Sequence, residues 1–132
     1  MADKKFVNPE GLSKPPSYTH VVTARGGTTV FIAGQAALDS NGQLVGKGDL
    51  RAQAQQVHEN LKIALAAVGA SFADVVKMNT YVVNYQPRDR ELLAGVRDQY
   101  LPKAHRPAST LVGVQSLALP ELLIEIEAIA VV

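Results

Sequence analysis

Apolar positions recur along this chain with two distinct periods, and each change of period marks an element boundary. From Ile124 to Val131 the period is two: Ile124, Ile126, Ala128 and Ala130 share one face of an extended segment, and Glu125, Glu127, Ile129 and Val131 share the other. Residues 75–83 alternate likewise, with Val76, Met78, Thr80 and Val82 opposite Lys77, Asn79, Tyr81 and Val83. Between Asp49 and Gly69 the spacing becomes three and four. Leu50, Ala54, Val57, Leu61, Ala64, Leu65 and Val68 form one stripe with Arg51, Gln55, Glu59 and Lys62 outward, which predicts a helix with Asp49 as N-cap and Gly69 as C-cap. A second stripe, Leu92, Leu93, Val96 and Tyr100, predicts a helix over 89–100 that Pro102 ends.

The other segments carry weaker signals. Two β-branched runs, 19–24 and 28–33, are separated by Arg25-Gly26-Gly27 and predict a hairpin. The last quarter, 106–132, reads as two strands joined across a turn near Leu119 and Pro120. Turns are expected at Asp39-Ser40-Asn41-Gly42 and Ser71-Phe72-Ala73-Asp74, with at most a short edge strand over 43–47. Residues 1–16, with Asn8-Pro9-Glu10-Gly11 and Pro15-Pro16, predict an arm rather than an element. The order strand, strand, helix, strand, helix, strand, strand predicts an α+β fold, a single curved mixed sheet with two helices on one face. The opposite face, carrying Phe31, Tyr81, Leu111, Ile129 and Val131, then has no cover within the chain, which predicts an oligomer.

Composition narrows the function classes. A chain of 132 residues, 47% apolar and 19% charged, fits one domain over 1–132 with 1–16 as its arm. A net charge of +1 and no basic stripe interleaved with aromatics give no electrostatic footprint for nucleic acid, so none is expected as a partner. There is no cysteine, and His20, His58 and His105 show no metal-ligand spacing, so neither metal nor cofactor is expected. Without a signal-like N-terminus or an apolar run of the roughly 18 to 20 residues a span requires, the expectation is a cytoplasmic protein that does not enter a membrane.

The candidate chemistry begins with Glu125 and Glu127, because a carboxylate on a central strand is costly unless it is paired, hydrated or protonated. One reading points both into solvent or a polar subunit interface; the other makes one of them an acid/base or water-positioning group. Gly34, directly after a strand, serves either a bend or bulge or the close approach of a ligand. His58, beside Val57 and Leu61, reads as surface or packing.

Taken together, the Ala33-Gly34-Gln35 strand end, the Pro-Ala-Ser-Thr segment at 107–110 and the closing Ile-Glu-Ile-Glu-Ala-Ile-Ala at 124–130 resemble the Rid family, the YjgF-type imine deaminases. The resemblance runs from about Tyr18 to the end. It implies a chorismate-mutase-like homotrimer, three sheets forming a central barrel with helices outside, and small-molecule clefts between subunits. In deaminating members such clefts hydrolyse an enamine or imine to a keto acid and ammonia. On this resemblance Glu125 is the water-positioning glutamate and Tyr18 the cleft tyrosine, while Gly34 and Leu111 offer backbone N–H groups.

The departures from the family pattern are specific. The arginine that clamps the substrate carboxylate after the Pro-Ala pair is Ser109, the usual cysteine is Leu111, and the cleft serine is Ala33. Arg106, three residues before Ser109, falls on the opposite strand face by parity. A serine offers no charged bidentate donor, which predicts a cleft poorer in charge and more apolar, suited to a neutral or larger ligand. Three functions follow: an imine or enamine hydrolase without the usual clamp, a non-catalytic small-molecule-binding or stress-related interaction protein, and an endoribonuclease.

Overall fold

The alternation at the C-terminus becomes a strand flanked on both sides. The computed structural model describes residues 2–132, and its strands and helices are β1 (Asp3–Val7), β2 (Val21–Arg25), β3 (Thr29–Ala36), α1 (Leu50–Ala66), β4 (Val75–Val83), α2 (Asp89–Arg97), β5 (Ala108–Val114) and β6 (Ile124–Val131). The main sheet has the order β3-β6-β4-β5, antiparallel except for the parallel β4/β5 pair that α2 connects. Ile124, Ile126, Ala128 and Ala130 are all buried, and Ala54, Val57, Leu61 and Leu65 of α1 and Leu93 and Val96 of α2 close over them. Each fully buried Leu or Ile contributes about 1.5–3 kcal/mol relative to exposure, so the sheet's polar-apolar period and the two helical stripes meet in one core. The α+β class with both helices on one face is as expected. No helix among the described residues is long and apolar enough to cross a membrane.

Asp49 starts α1 where the sequence placed it, while the helix ends at Ala66 with Ala67 as C-cap, before the expected Gly69. The Asp49 carboxylate accepts from Ala52 N–H at 3.0 Å, and Gly69 turns left-handed (φ 74°) so that Ala70 N–H reaches Leu65 O at 2.9 Å. Two polar residues on the inner side of α1 hold the strand ends that matter below. Buried Gln53 donates to Gly46 O and Glu121 O and accepts from Leu123 N–H at 2.8 Å, setting the entry of β6. Asn60 donates to Ala36 O and Leu38 O, both at 2.9 Å, setting the end of β3.

Four expectations are corrected. The runs around Arg25-Gly26-Gly27 do not form a hairpin: β2 pairs antiparallel with β1, from Asp3↔Arg25 to Val7↔Val21, in a separate two-stranded sheet. The chain leaves β2 through Gly26 and Gly27, both left-handed, and a Cβ on Gly27 would overlap Val132 O. Thr28 then exchanges backbone hydrogen bonds with Val132, which delivers β3 to β6 instead. The first residues are therefore a strand, not an irregular arm; the prolines at 9, 15 and 16 lie beyond it, and Lys4 to Asp74 (3.5 Å) and Phe6 against the His105 ring (4.8 Å) dock it.

The second correction is a shift between Val75 and Lys77 in the β4/β6 register, which sends Val75, 1% exposed, into the core in place of Val76. The third is that α2 stops at Arg97; Tyr100 follows in a turn, its N–H on Arg97 O. The fourth concerns the uncovered face. Phe31, Tyr81 and Ile129 do lie on it, Phe31 being 77% exposed, but Val131 is buried and Leu111 is on the other side. The parallel register pairs Leu111 with Thr80 and Val112 with Tyr81, so it is Val112 that shares the face of Tyr81.

Candidate functional site

The six residues expected at the site fall into two groups on opposite faces of the sheet. Ala33, Gly34 and Glu125 form the first. Ile32 pairs with Ala128 and Gln35 with Ile126, leaving Ala33 and Gly34 together opposite Glu127 as a β-bulge. The bulge reading of Gly34 holds, and the glycine also leaves room for a side chain, since a Cβ there would overlap Glu125 Oε2 and crowd the rest of that carboxylate group. The bulge and the missing side chain set a half-buried Glu125 against bare backbone.

Glu127 is engaged differently. It accepts from Tyr81 Oη at 2.6 Å and Asn79 Nδ2 at 3.0 Å. Those bonds, the tyrosine's first, hold its pKa below the usual carboxylate value, and the same bond to Glu127, with desolvation second, raises that of Tyr81. An ionised, doubly bonded Glu127 suits a structural role, and the hydrogen bonds on this face thus distinguish the two glutamates that strand alternation alone left equivalent.

Tyr18, Ser109 and Leu111 form the second group. All three line a cavity of about 810 Å³ between α2 and the β4/β5 edge. Thr19 fixes Tyr18 there, its N–H on Pro107 O at 3.2 Å and its hydroxyl on Arg106 O, while the Tyr18 ring packs edge-on to His20 at 5.4 Å. Ser109 pairs with Met78 and Leu111 with Thr80, which places both side chains on the helix side of the sheet. Within one chain, therefore, Glu125 and Ser109 face opposite ways. Ala33 and Gly34 nevertheless lie on one outer strand, β3, with Glu125 on the adjoining β6, and Ser109 and Leu111 lie on the other outer strand, β5.

The Ser109 side of the chain carries charge of its own. Arg97 and Arg106 line the same cavity. Strand parity had put Arg106 on the far face, but β5 begins only at Ala108, so Arg106 and Pro107 lie outside the strand and its alternation does not reach them. His58 also reaches the cavity wall; it is buried, its Nδ1 donates to Ala54 O at 2.7 Å, and it stacks on Tyr100 at 5.0 Å. Its packing role is as expected, and burial, the largest cause, lowers its pKa, which favours the neutral ring. Among the described residues no cluster of three or more His, Asp or Glu is placed to hold a metal ion.

Comparison with known proteins agrees with this architecture. Residues 12–132 match the family described as endoribonuclease L-PSP. The chain is 33% identical over 127 residues to the 3-aminoacrylate deaminase RutC of Acinetobacter baylyi, covering 96% of this chain and 97% of that one. It is 29% identical over 132 residues to a 2-iminobutanoate/2-iminopropanoate deaminase of Dermatophagoides farinae, covering 100% and 99%. Its fold superposes on the crystal structure of the Rid-family protein YyfB of Yersinia pestis with a TM-score of 0.89 and 45% identity, over 98% of both chains. With the bulge at Gly34, the closing Glu125 strand and near-complete coverage all pointing one way, this chain belongs to the Rid, or YjgF-type, family.

Proposed function

We propose that the protein is an imine or enamine hydrolase of the deaminase type, working at a cleft completed between subunits of a cyclic homotrimer. The observation that carries the reading is the Gly34 bulge set against the Glu125 carboxylate, an acid/base group presented beside exposed main chain. Two relatives named as deaminases of small imino or enamino acids support the reaction class. Ala33 and Gly34 lie on the edge strand β3 and Ser109 and Leu111 on the edge strand β5, so joining the β5 edge of one subunit to the β3 edge of the next in a closed ring would bring Tyr18, Ser109 and Leu111 toward the neighbour's Ala33, Gly34 and, on the adjoining β6, Glu125.

In the reaction Glu125 holds a water and takes its proton as the oxygen bonds to the imine carbon. The C=N electron pair moves to nitrogen, which is protonated. The hydroxyl proton of the resulting carbinolamine then passes by way of Glu125 to the amino nitrogen, the C–N bond breaks as C=O forms, and ammonia leaves; an enamine first takes a proton on carbon to become the imine. The Gly34 and Leu111 N–H groups are the donors for developing negative charge. Ser109 means that the substrate is not held by the family's usual arginine.

Glu125→Gln keeps the shape and removes the basicity, so hydrolysis of imines generated in situ by an amino-acid oxidase, read as ammonia release, falls by about 10² to 10⁴-fold. Glu127→Gln loses much less, and equal losses in both variants would sink the assignment. Ser109 favours a second reading, a protein that binds such ligands without turning them over; wild type with no ammonia release above background would select it. An endoribonuclease is the poorest fit. The net charge is +1, and His20, His58 and His105 are each engaged with different partners rather than with one another.

A further inference from the structure

We infer that the cavity beneath α2 is an anion-binding subsite, in which Arg97 and Arg106 receive the carboxylate of an acidic ligand from a position different from the one Ser109 occupies. The charge balance points there first. Asp98 Oδ1 lies 3.0 Å from Arg106 Nη2 and 3.5 Å from Arg97 Nη2, so two guanidinium groups share one carboxylate, which is itself half-exposed. The Arg106 side chain is only 11% exposed. Its Nε and Nη1, and Nε of Arg97, are buried without a hydrogen-bond acceptor. Buried charged donors left unpaired are costly, and structures satisfy nearly all of them. Arg90, Arg97 and Arg106 line the cavity against Glu91 and Asp98, so an entering carboxylate supplies missing acceptors and matches the one cation in excess.

A second observation points to a ligand independently of charge. His58 is 3% exposed, and its Nδ1–H is committed to Ala54 O, so Nε2 is a lone-pair acceptor; that atom too is buried and unpartnered, and the residue lines the same cavity. Three side chains from three segments, α1, α2 and the turn before β5, therefore line one cavity and each carries a buried, unmet hydrogen-bonding atom, with His58 Nε2 suited to a ligand N–H and the arginine atoms to a carboxylate. Burial is the largest influence lowering the Arg97 pKa, and the Arg106 and Arg90 charges add to it against the opposing pull of Asp98; a bound anion relieves that repulsion. At about 810 Å³ the cavity suits a ligand larger than a three-carbon acid. The ligand class is an imino or enamino acid with a bulky side chain, or the keto acid it yields. This placement rests on the hydrolase reading for where the reacting atoms sit, while the anion preference does not depend on turnover.

The test is calorimetric titration with 4-methyl-2-oxopentanoate and its primary amide. Wild type binds the acid at least about tenfold more tightly than the amide. Arg106→Gln and Arg97→Gln each weaken acid binding by about 30-fold or more, the scale for truncating one partner of a buried charge pair, and leave the amide nearly unchanged. Arg106→Lys, which keeps the charge and loses the planar fork, recovers part of the affinity. Glu125→Gln keeps the preference for the acid, so a failed hydrolase assignment and a failed anion site give different results. Equal binding of acid and amide by wild type, a comparison that needs no variant, overturns the proposal, as does full acid affinity in both arginine variants.

Discussion

At the scale of single residues, Gly34 carries the sharpest consequence. Its backbone is not in the left-handed region, so alanine is conformationally acceptable there; the conflict is solely with the Glu125 side chain. That side chain can rotate away at the cost of a rotamer change, on the order of 0.5–1.5 kcal/mol. Gly34→Ala is accordingly expected to melt within a few degrees of wild type while imine hydrolysis falls by about 10² -fold, because a catalytic group displaced by about 1 Å loses that much. Thermal melting beside ammonia-release kinetics separates the effects. A large loss of stability with activity per folded molecule unchanged would mean that the glycine serves only the bulge.

Across the pair of strands β4 and β6, the Tyr81–Glu127 hydrogen bond couples the sheet to pH. The folded-state pKa of Glu127 lies below its ordinary 4.5, so its contribution is complete above that value and is lost as pH falls through the lowered one. Tyr81 is shifted the other way, above its ordinary 10, so its contribution is present below 10 and is lost as pH rises through the raised value. The gap in melting temperature between wild type and Tyr81→Phe should be widest between these limits and close toward both extremes. A gap constant from acid to alkaline pH would show that the tyrosine matters only through packing. The same pairing explains why Glu127, on the same face as Glu125, is a poor candidate for proton transfer.

For the whole molecule, the question is what covers the face of Phe31, Tyr81 and Ile129. Phe31 stands 77% exposed beside polar groups, an arrangement that associates more readily than it remains in water. The expected assembly is a trimer near three times 14.1 kDa by light scattering, and Phe31→Asp should shift it toward the monomer mass. A wild type that stays monomeric at micromolar concentration would remove the intersubunit cleft, since one chain holds its two half-sites on opposite sheet faces.

Local periodicity is a property of neighbouring residues, so whatever depended on it was legible in the chain alone. The limits of β4, the N-cap of α1, the buried face of β6 and the α+β class follow from patterns that short windows contain, and Gly34 and the Glu125/Glu127 pair stood out for the same reason. What tertiary structure decided is pairing and register, which depend on segments distant in sequence. β2 found β1 because Gly27 and Thr28 lock onto Val132 and hand β3 to β6. The shifts at Val76 and at Ala33-Gly34 changed which side chains face the core, and the parallel alignment with β4 turned Leu111 to the helix side. Arg106 escaped the parity argument because β5 becomes regular only at Ala108, two residues after it. Period two predicts faces only while a strand remains regular, and the candidate site lies where regularity ends.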